Sequence, residues 1–288
     1  MIFRQLFDQT SGTYSYLLAS RRGGEALIID PVLEKVDRYL TLVRELDLKL
    51  VKAVDTHMHA DHITGLGALR DKTHCITVMG EQTKADVVSM RLADGETLTI
   101  EGLTLDAVYT PGHTDDSYSF VMPDRVFTGD TLLIRGTGRT DFQNGDPRAQ
   151  YESIFGRLLK LPNETLVYPA HDYKGDTVST IGEEKAFNPR LQVRSVDEYA
   201  DLMNNLNQGH CTRLTPISRR MCVPVGCCTT LRPRRANASC FTAPLGSDPP
   251  WPSRLRKTPD LARLATFRVA WEHGRRPTVP CSMSDASK

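Results

Sequence analysis

Along the first 207 residues the spacing of apolar positions switches repeatedly between a period of two and a period near 3.6. The runs YSYLLAS (14–20) and EALIID (25–30) read as two strands of a hairpin around Arg22, Gly23 and Gly24. VDRYLTLVRELDL (36–48) places its apolar residues on one face of an amphipathic helix. LKLVKAVDT (48–56) predicts a strand, DHITGLGALRDK (61–72) a helix and CITVMG (75–80) another strand. ETLTIEGLTLDAVYT (96–110) alternates like a β-ribbon, and YSFVMP (118–123) and RVFTGD (125–130) predict two more short strands. PRAQYESIFGRLLKL (147–161) predicts a helix and TLVYPAHD (165–172) a strand. SVDEYADLMNNLN (195–207) predicts a helix with Ser195 as its N-cap. Mixed strands and helices with several ribbons suit two packed sheets flanked by helices, an α+β arrangement.

Composition divides the chain in two. Residues 1–207 hold 22 basic and 31 acidic residues, a net of −9, whereas residues 208–288 hold 14 and 4, a net of +10. Six of the seven cysteines and ten of the 17 prolines also fall after position 207. We therefore expect a catalytic domain over 1–207 and a separate basic, Cys-, Pro- and Arg-rich tail over 208–288, poorly structured or non-native. Cys75 alone cannot form a disulfide framework in the first part and reads as a small buried hydrophobe. No run of 18 apolar residues predicts a membrane span, and the start shows no secretory pattern, so the expected location is cytoplasmic. The tail's charge suggests nucleic acid, but its few aromatics argue against it.

The chemistry concentrates in THMHADH, which packs His57, His59, Asp61 and His62 into six residues. In an extended segment His57 and His59 point to the same side. Three later segments each place one imidazole or carboxylate just after an apolar strand: TPGHT with His113, FTGDT with Asp130, and YPAHD with His171. Imidazole nitrogen together with carboxylate oxygen is what borderline metals take as donors. A set of unrelated, individually satisfied histidines is the competing explanation.

HxHxDH followed in order by PGH, TGD and PAHD resembles the metallo-β-lactamase superfamily, over roughly residues 1–207. The resemblance implies an αββα sandwich with metal at the edge of its two sheets. The stretches IRGTGRTDFQNGD and PAHDYKGDTVSTIGEEKAFNPRL look like those of the persulfide dioxygenases. They do not look like glyoxalase II, which carries a GCGK-type segment and a helical C-terminal domain. A glyoxalase II-like dinuclear zinc thioester hydrolase is the alternative enzyme, and an inactive metal-binding protein of the same fold the non-enzymatic one.

The resemblance to persulfide dioxygenases implies one Fe(II) per chain, held by His57, His113 and Asp130 in a two-histidine, one-carboxylate arrangement with open positions. His59, Asp61, His62 and His171 would then orient the ligands without binding iron. In a dinuclear hydrolase the same four would complete the metal sites, so this division follows the resemblance and not the spacing. The implied reaction passes both atoms of O2 to the terminal sulfur of glutathione persulfide and yields sulfite and glutathione. Arg139 is the first candidate for a substrate carboxylate, because its planar fork matches one; a salt bridge with Asp141 is the competing role. Tyr173 is expected to hydrogen-bond the substrate, against a packing role. Lys174 and Arg135 read as surface charges. The implied partners are glutathione persulfide and O2, with no membrane and no nucleic acid; a homodimer stays open.

Overall fold

In a computed structural model of the chain, residues 1–206 are described, apart from Val87 and Gln143. The expectation for the tail, residues 208–288, lies outside the described residues. Among the described residues twelve strands form two six-stranded sheets. The first holds β1 (Ile2–Asp8), β2 (Thr13–Ala19), β3 (Glu25–Ile29), β4 (Lys49–Val54), β5 (Ile76–Gly80) and β6 (Met90–Leu92), in that spatial order. The second holds β7 (Thr97–Ile100), β8 (Leu103–Tyr109), β9 (Tyr118–Val121), β10 (Arg125–Gly129), β11 (Leu166–Pro169) and β12 (Ser179–Thr180), again ordered as in the chain.

Both sheets are covered on both faces, which explains why β2, β3 and β10 read as continuous apolar runs. Alternate residues of one strand serve different layers. Tyr16, Leu18, Leu27, Ile29 and Val54 meet Phe120, Phe127 and Tyr168 of the other sheet in the central core. Their neighbours Leu17, Ala19, Ala26, Ile28 and Ala53 turn outward against α1 (Val36–Glu45) and α2 (Leu66–Thr73). On the far side Val126 and Val167 face the helical segment that begins with α3 (Pro147–Tyr151) and continues through Ile154, α4 (Ile181–Phe187) through Ile181, and α5 (Val196–Asn204) through Tyr199 and Met203. These layers are the expected αββα sandwich.

Four elements were not expected from the sequence. In β1, apolar residues at 2, 3, 6 and 7 fit no period of two, because Phe3 packs on the central core while Ile2 and Leu6 pack on the outer one. β6 and β12 are too short to carry a pattern. α4 does carry a readable signal: Thr180 caps it by accepting from the Glu183 N–H, as T-x-x-E predicts. The helix expected from Asp61 begins only at Leu66, so Asp61 and His62 lie in an irregular turn. The helix expected over 147–161 forms, but it widens to a π-helical stretch over Glu152–Arg157 and tightens to a 3-10 turn at its end. It presses on the loop ahead of His113, where the Ser153 hydroxyl donates to the Pro111 carbonyl at 2.7 Å.

Candidate metal centre

The His- and Asp-bearing loops all leave strand ends at one edge of the sandwich. β4 delivers His57, the β8–β9 connection delivers His113, β10 ends at Asp130, and β11 leads to His171. The metal-capable atoms of His57, His113 and Asp130 lie within 4.8 Å of one another, and all three residues are buried. Asp130 Oδ2 stands 4.0 Å from His57 Nε2 and 3.6 Å from His113 Nε2.

Each donor is oriented from behind. Thr56 Oγ1 donates to Asp30 Oδ2 at 3.1 Å, so it accepts from His57 Nδ1 at 2.9 Å. His113 Nδ1 donates to the Arg139 carbonyl at 2.7 Å. Both rings therefore keep their protons on Nδ1 and turn a free Nε2 lone pair to the centre. Close approach is allowed by two glycines. A Cβ on Gly138 would sit 2.2 Å from the Asp130 carbonyl and 2.8 Å from His113 Nδ1. Gly129 has φ +53°, and a Cβ there would lie 2.8 Å from Thr56 Oγ1.

Burial pushes the His57 and His59 pKa values well below the usual histidine range, reinforced by neighbouring imidazoles. Burial opposes charge on Asp130 as well, but His171, His57 and His113 outweigh it and hold the carboxyl below its ordinary value. A neutral His57 imidazole beside an ionised Asp130 carboxylate gives donors in the protonation states a metal requires. The donor set fits a single metal ion with a two-histidine, one-carboxylate coordination.

His59, Asp61, His62 and His171 form a second group beside the first. The rings of His57 and His59 are only 4.1 Å apart, yet they serve different groups. His59 Nε2 faces Asp30 Oδ1 at 3.3 Å, while Nδ1 of His59 and Nε2 of His62 are buried without a hydrogen-bond partner. His171 is held at both nitrogens, by Asp130 Oδ1 at 2.7 Å and Asp61 Oδ2 at 2.9 Å. Burial disfavours its charged form, but these two carboxylates prevail and raise its pKa to about 10.

A cavity of about 490 Å³ opens over the first group, lined by Arg139, Tyr173, Lys174 and Arg190 among others. Arg139 is mostly exposed and already paired with Asp141, with contacts at 2.7 and 2.8 Å. It thus occupies the competing role. Arg135 is likewise engaged, by Glu184 at 2.5 Å and by Glu183. Arg190, from the turn Pro189–Leu191, is different. Its guanidinium donates to the Thr137 carbonyl and hydroxyl, and among the described residues no carboxylate pairs with it. Tyr173 stacks parallel to His171 at 6.1 Å with an interplanar angle of 5°. Tyr173 is 75% exposed, and partial desolvation of its ring with the charges of Asp130 and Asp61 raises its phenol to about 12.

Sequence reasoning missed Thr13, Asp30, Thr56 and Arg190. Asp30 had a signal, a carboxylate closing an apolar strand, where no solvent awaits it. Arg190 had none beyond its place in NPRL.

A buried group of imidazoles and a carboxylate at one edge of an αββα sandwich defines a metal-dependent enzyme class. Residues 9–171 match the family described as the metallo-beta-lactamase superfamily. The human and mouse proteins named persulfide dioxygenase ETHE1, mitochondrial, are each 45% identical over 210 residues, covering 72% of this chain and 82% of theirs. The crystal structure of ETHE1 from Myxococcus xanthus is 52% identical, with a TM-score of 0.70, covering 72% of this chain and 92% of that one. The chain belongs to the persulfide dioxygenase family of the metallo-β-lactamase superfamily.

Proposed function

We propose that the chain is a persulfide dioxygenase that works on glutathione persulfide with one Fe(II) held by His57, His113 and Asp130. The observation that carries the reading is the separation of two donor groups: three buried donors free toward the cavity, and a His171 occupied by carboxylates at both nitrogens. Bound there, Fe(II) supplies the redox chemistry that joins both atoms of O2 to sulfur. Overall, glutathione persulfide, O2 and water give glutathione, sulfite and two protons.

The chain's own residues bind, orient and protect. Asp130 is kept ionised, and its Oδ1 is occupied by His171, so only Oδ2 is presented. Arg190, half-buried and without a carboxylate of its own, receives a carboxylate of the tripeptide, with Lys174 beside it on the cavity wall. Arg139 serves as a secondary cation, since it must first part from Asp141. Tyr173 keeps its proton and donates it in a hydrogen bond to the substrate near the sulfur. Leu133 and Ile134 give the cavity an apolar wall that limits water around the reacting sulfur.

None of the described helices is long and apolar enough to cross a membrane. The human and mouse relatives are named as mitochondrial; a cytoplasmic location for this chain rests on the sequence reading and is checked by cell fractionation.

Metal analysis combined with oxygen uptake on glutathione persulfide tests the function. The expected result is about one iron per chain with uptake of oxygen and release of sulfite. Two zinc ions with thioester cleavage and no uptake would overturn the reading in favour of a dinuclear hydrolase.

A further inference from the structure

The first hairpin is stitched to the loop that carries His171. Tyr14 N–H donates to the Ala170 carbonyl at 2.7 Å, Asp172 N–H donates to the Gly12 carbonyl at 3.1 Å, and Thr13 bridges His171. At the centre of that seam lies the Thr13 hydroxyl, on a fully buried residue that opens β2. It is 3.1 Å from His171 Nε2, 3.2 Å from Asp61 Oδ2 and 3.3 Å from His62 Nδ1. On its other side Ser11 Oγ stands 2.7 Å away and itself donates to Asp8 Oδ2 at 2.7 Å.

We infer that Thr13 is a positioning residue of the metal centre, acting through His171 on Asp130; the inference rests on reading His57, His113 and Asp130 as the metal ligands. His171 can occupy Asp130 Oδ1 only while its ring keeps one rotation. Asp61 is the more solvated anchor for the far nitrogen, because its side chain is 31% exposed and sits in an irregular turn. Thr13 is fixed by a strand and by the seam, so its hydroxyl holds both Asp61 and the ring in place. With the ring released, Asp130 gains a second free oxygen and can rotate, and the donor set loses its fixed geometry. Partners one step behind a metal ligand typically change metal affinity or activity by roughly 10–100-fold when removed.

The test uses the full chain, with Fe(II) and Co(II) as probes and two variants of nearly equal size. Thr13→Val removes the hydroxyl, and Thr13→Ser retains it. The expected result is roughly 10–100-fold weaker Fe(II) binding in Thr13→Val, an altered visible spectrum of its Co(II) form, and near wild-type behaviour in Thr13→Ser. Thr13→Val binding within about twofold of wild type with the same Co(II) spectrum overturns the inference, as does a Thr13→Ser protein as impaired as Thr13→Val. Circular dichroism of the metal-free proteins reports folding. Should Thr13→Val fail to fold, Thr13→Ala, which removes the hydroxyl without adding a branched methyl, is expected to weaken Fe(II) binding in the same direction; unchanged binding there also overturns the inference. His113→Ala runs in parallel. If it keeps its metal, the ligand reading itself is wrong; if it loses metal while Thr13→Val binds normally, only the positioning role falls.

Discussion

Asp130 is divided between two tasks: its Oδ1 accepts from His171 Nδ1 at 2.7 Å, and its Oδ2 faces His113 Nε2 at 3.6 Å. One carboxylate thereby joins the two donor groups, and only one of its oxygens is offered to a metal. His171 carries positive charge in this setting, because the carboxylates on either side overcome the cost of burying it. Carboxylates occupy both nitrogens of His171, whereas His57 and His113 are each held at Nδ1 and turn Nε2 to the centre.

Substitutions should divide along that line. His113→Ala or Asp130→Ala is expected to abolish both iron retention and oxygen uptake. His59→Ala should leave most of the iron bound, because His59 faces Asp30 and the second group. Metal content after gel filtration, with circular dichroism as the folding control, measures this. Complete iron loss in a folded His59→Ala protein would contradict the division.

Substrate affinity should depend more on Arg190 than on Arg139. Truncating one member of a desolvated charged pair costs about 2–5 kcal/mol, and at the lower end that is roughly a 30-fold loss in kcat/KM. Arg190→Gln is expected to reach that loss with iron content unchanged. Arg139→Ala should lose less than about fivefold, since exposed pairs such as Arg139–Asp141 contribute at most about 1 kcal/mol. Steady-state kinetics on glutathione persulfide decide it, and a larger loss in Arg139→Ala would reverse the assignment.

Gly138→Ala should damage the centre without touching any donor. The added methyl would fall 2.2 Å from the Asp130 carbonyl and 2.8 Å from His113 Nδ1, so backbone must move. The Arg139 carbonyl that orients His113 moves with it. We expect at least a tenfold weaker hold on iron, read by competition with a chelator. Wild-type affinity would show that the loop yields elsewhere.

Acid should expose the contribution of Asp8. Burial opposes its charge, but bonds from the Ser11 hydroxyl and N–H and the Lys35 ammonium outweigh it and lower its pKa to about 2. A depressed carboxyl stabilises the fold above its unfolded value of 3.8 and loses that effect as pH falls through about 2. The stability gap between wild type and Asp8→Asn should therefore be on the order of 2 kcal/mol near neutrality and shrink between pH 4 and 2. Denaturant titrations across that range measure it, and a gap that widens on acidification would refute the sign.

Much of this protein is legible in its sequence because the deciding interactions there are local or periodic. The runs YSYLLAS and EALIID announce strands covered on both faces, and the order HxHxDH, PGH, TGD, PAHD announces donors at strand ends. What spacing cannot give is which donors meet. His57 and His59 are two residues apart and should share a side, yet they belong to different groups, because Thr56 and Asp30 fix one ring and Asp30 the other. Asp141, two residues on, made the Arg139 pair legible in the sequence, whereas only the fold sets Arg190 against Thr137 with no carboxylate paired to it among the described residues. Thr13 was invisible for the same reason: its partners at the metal centre lie 48 to 158 residues away. Periodicity is a property of one segment and survives in the sequence, whereas a hydrogen bond between segments depends on how two sheets close on each other, which only the tertiary structure decides.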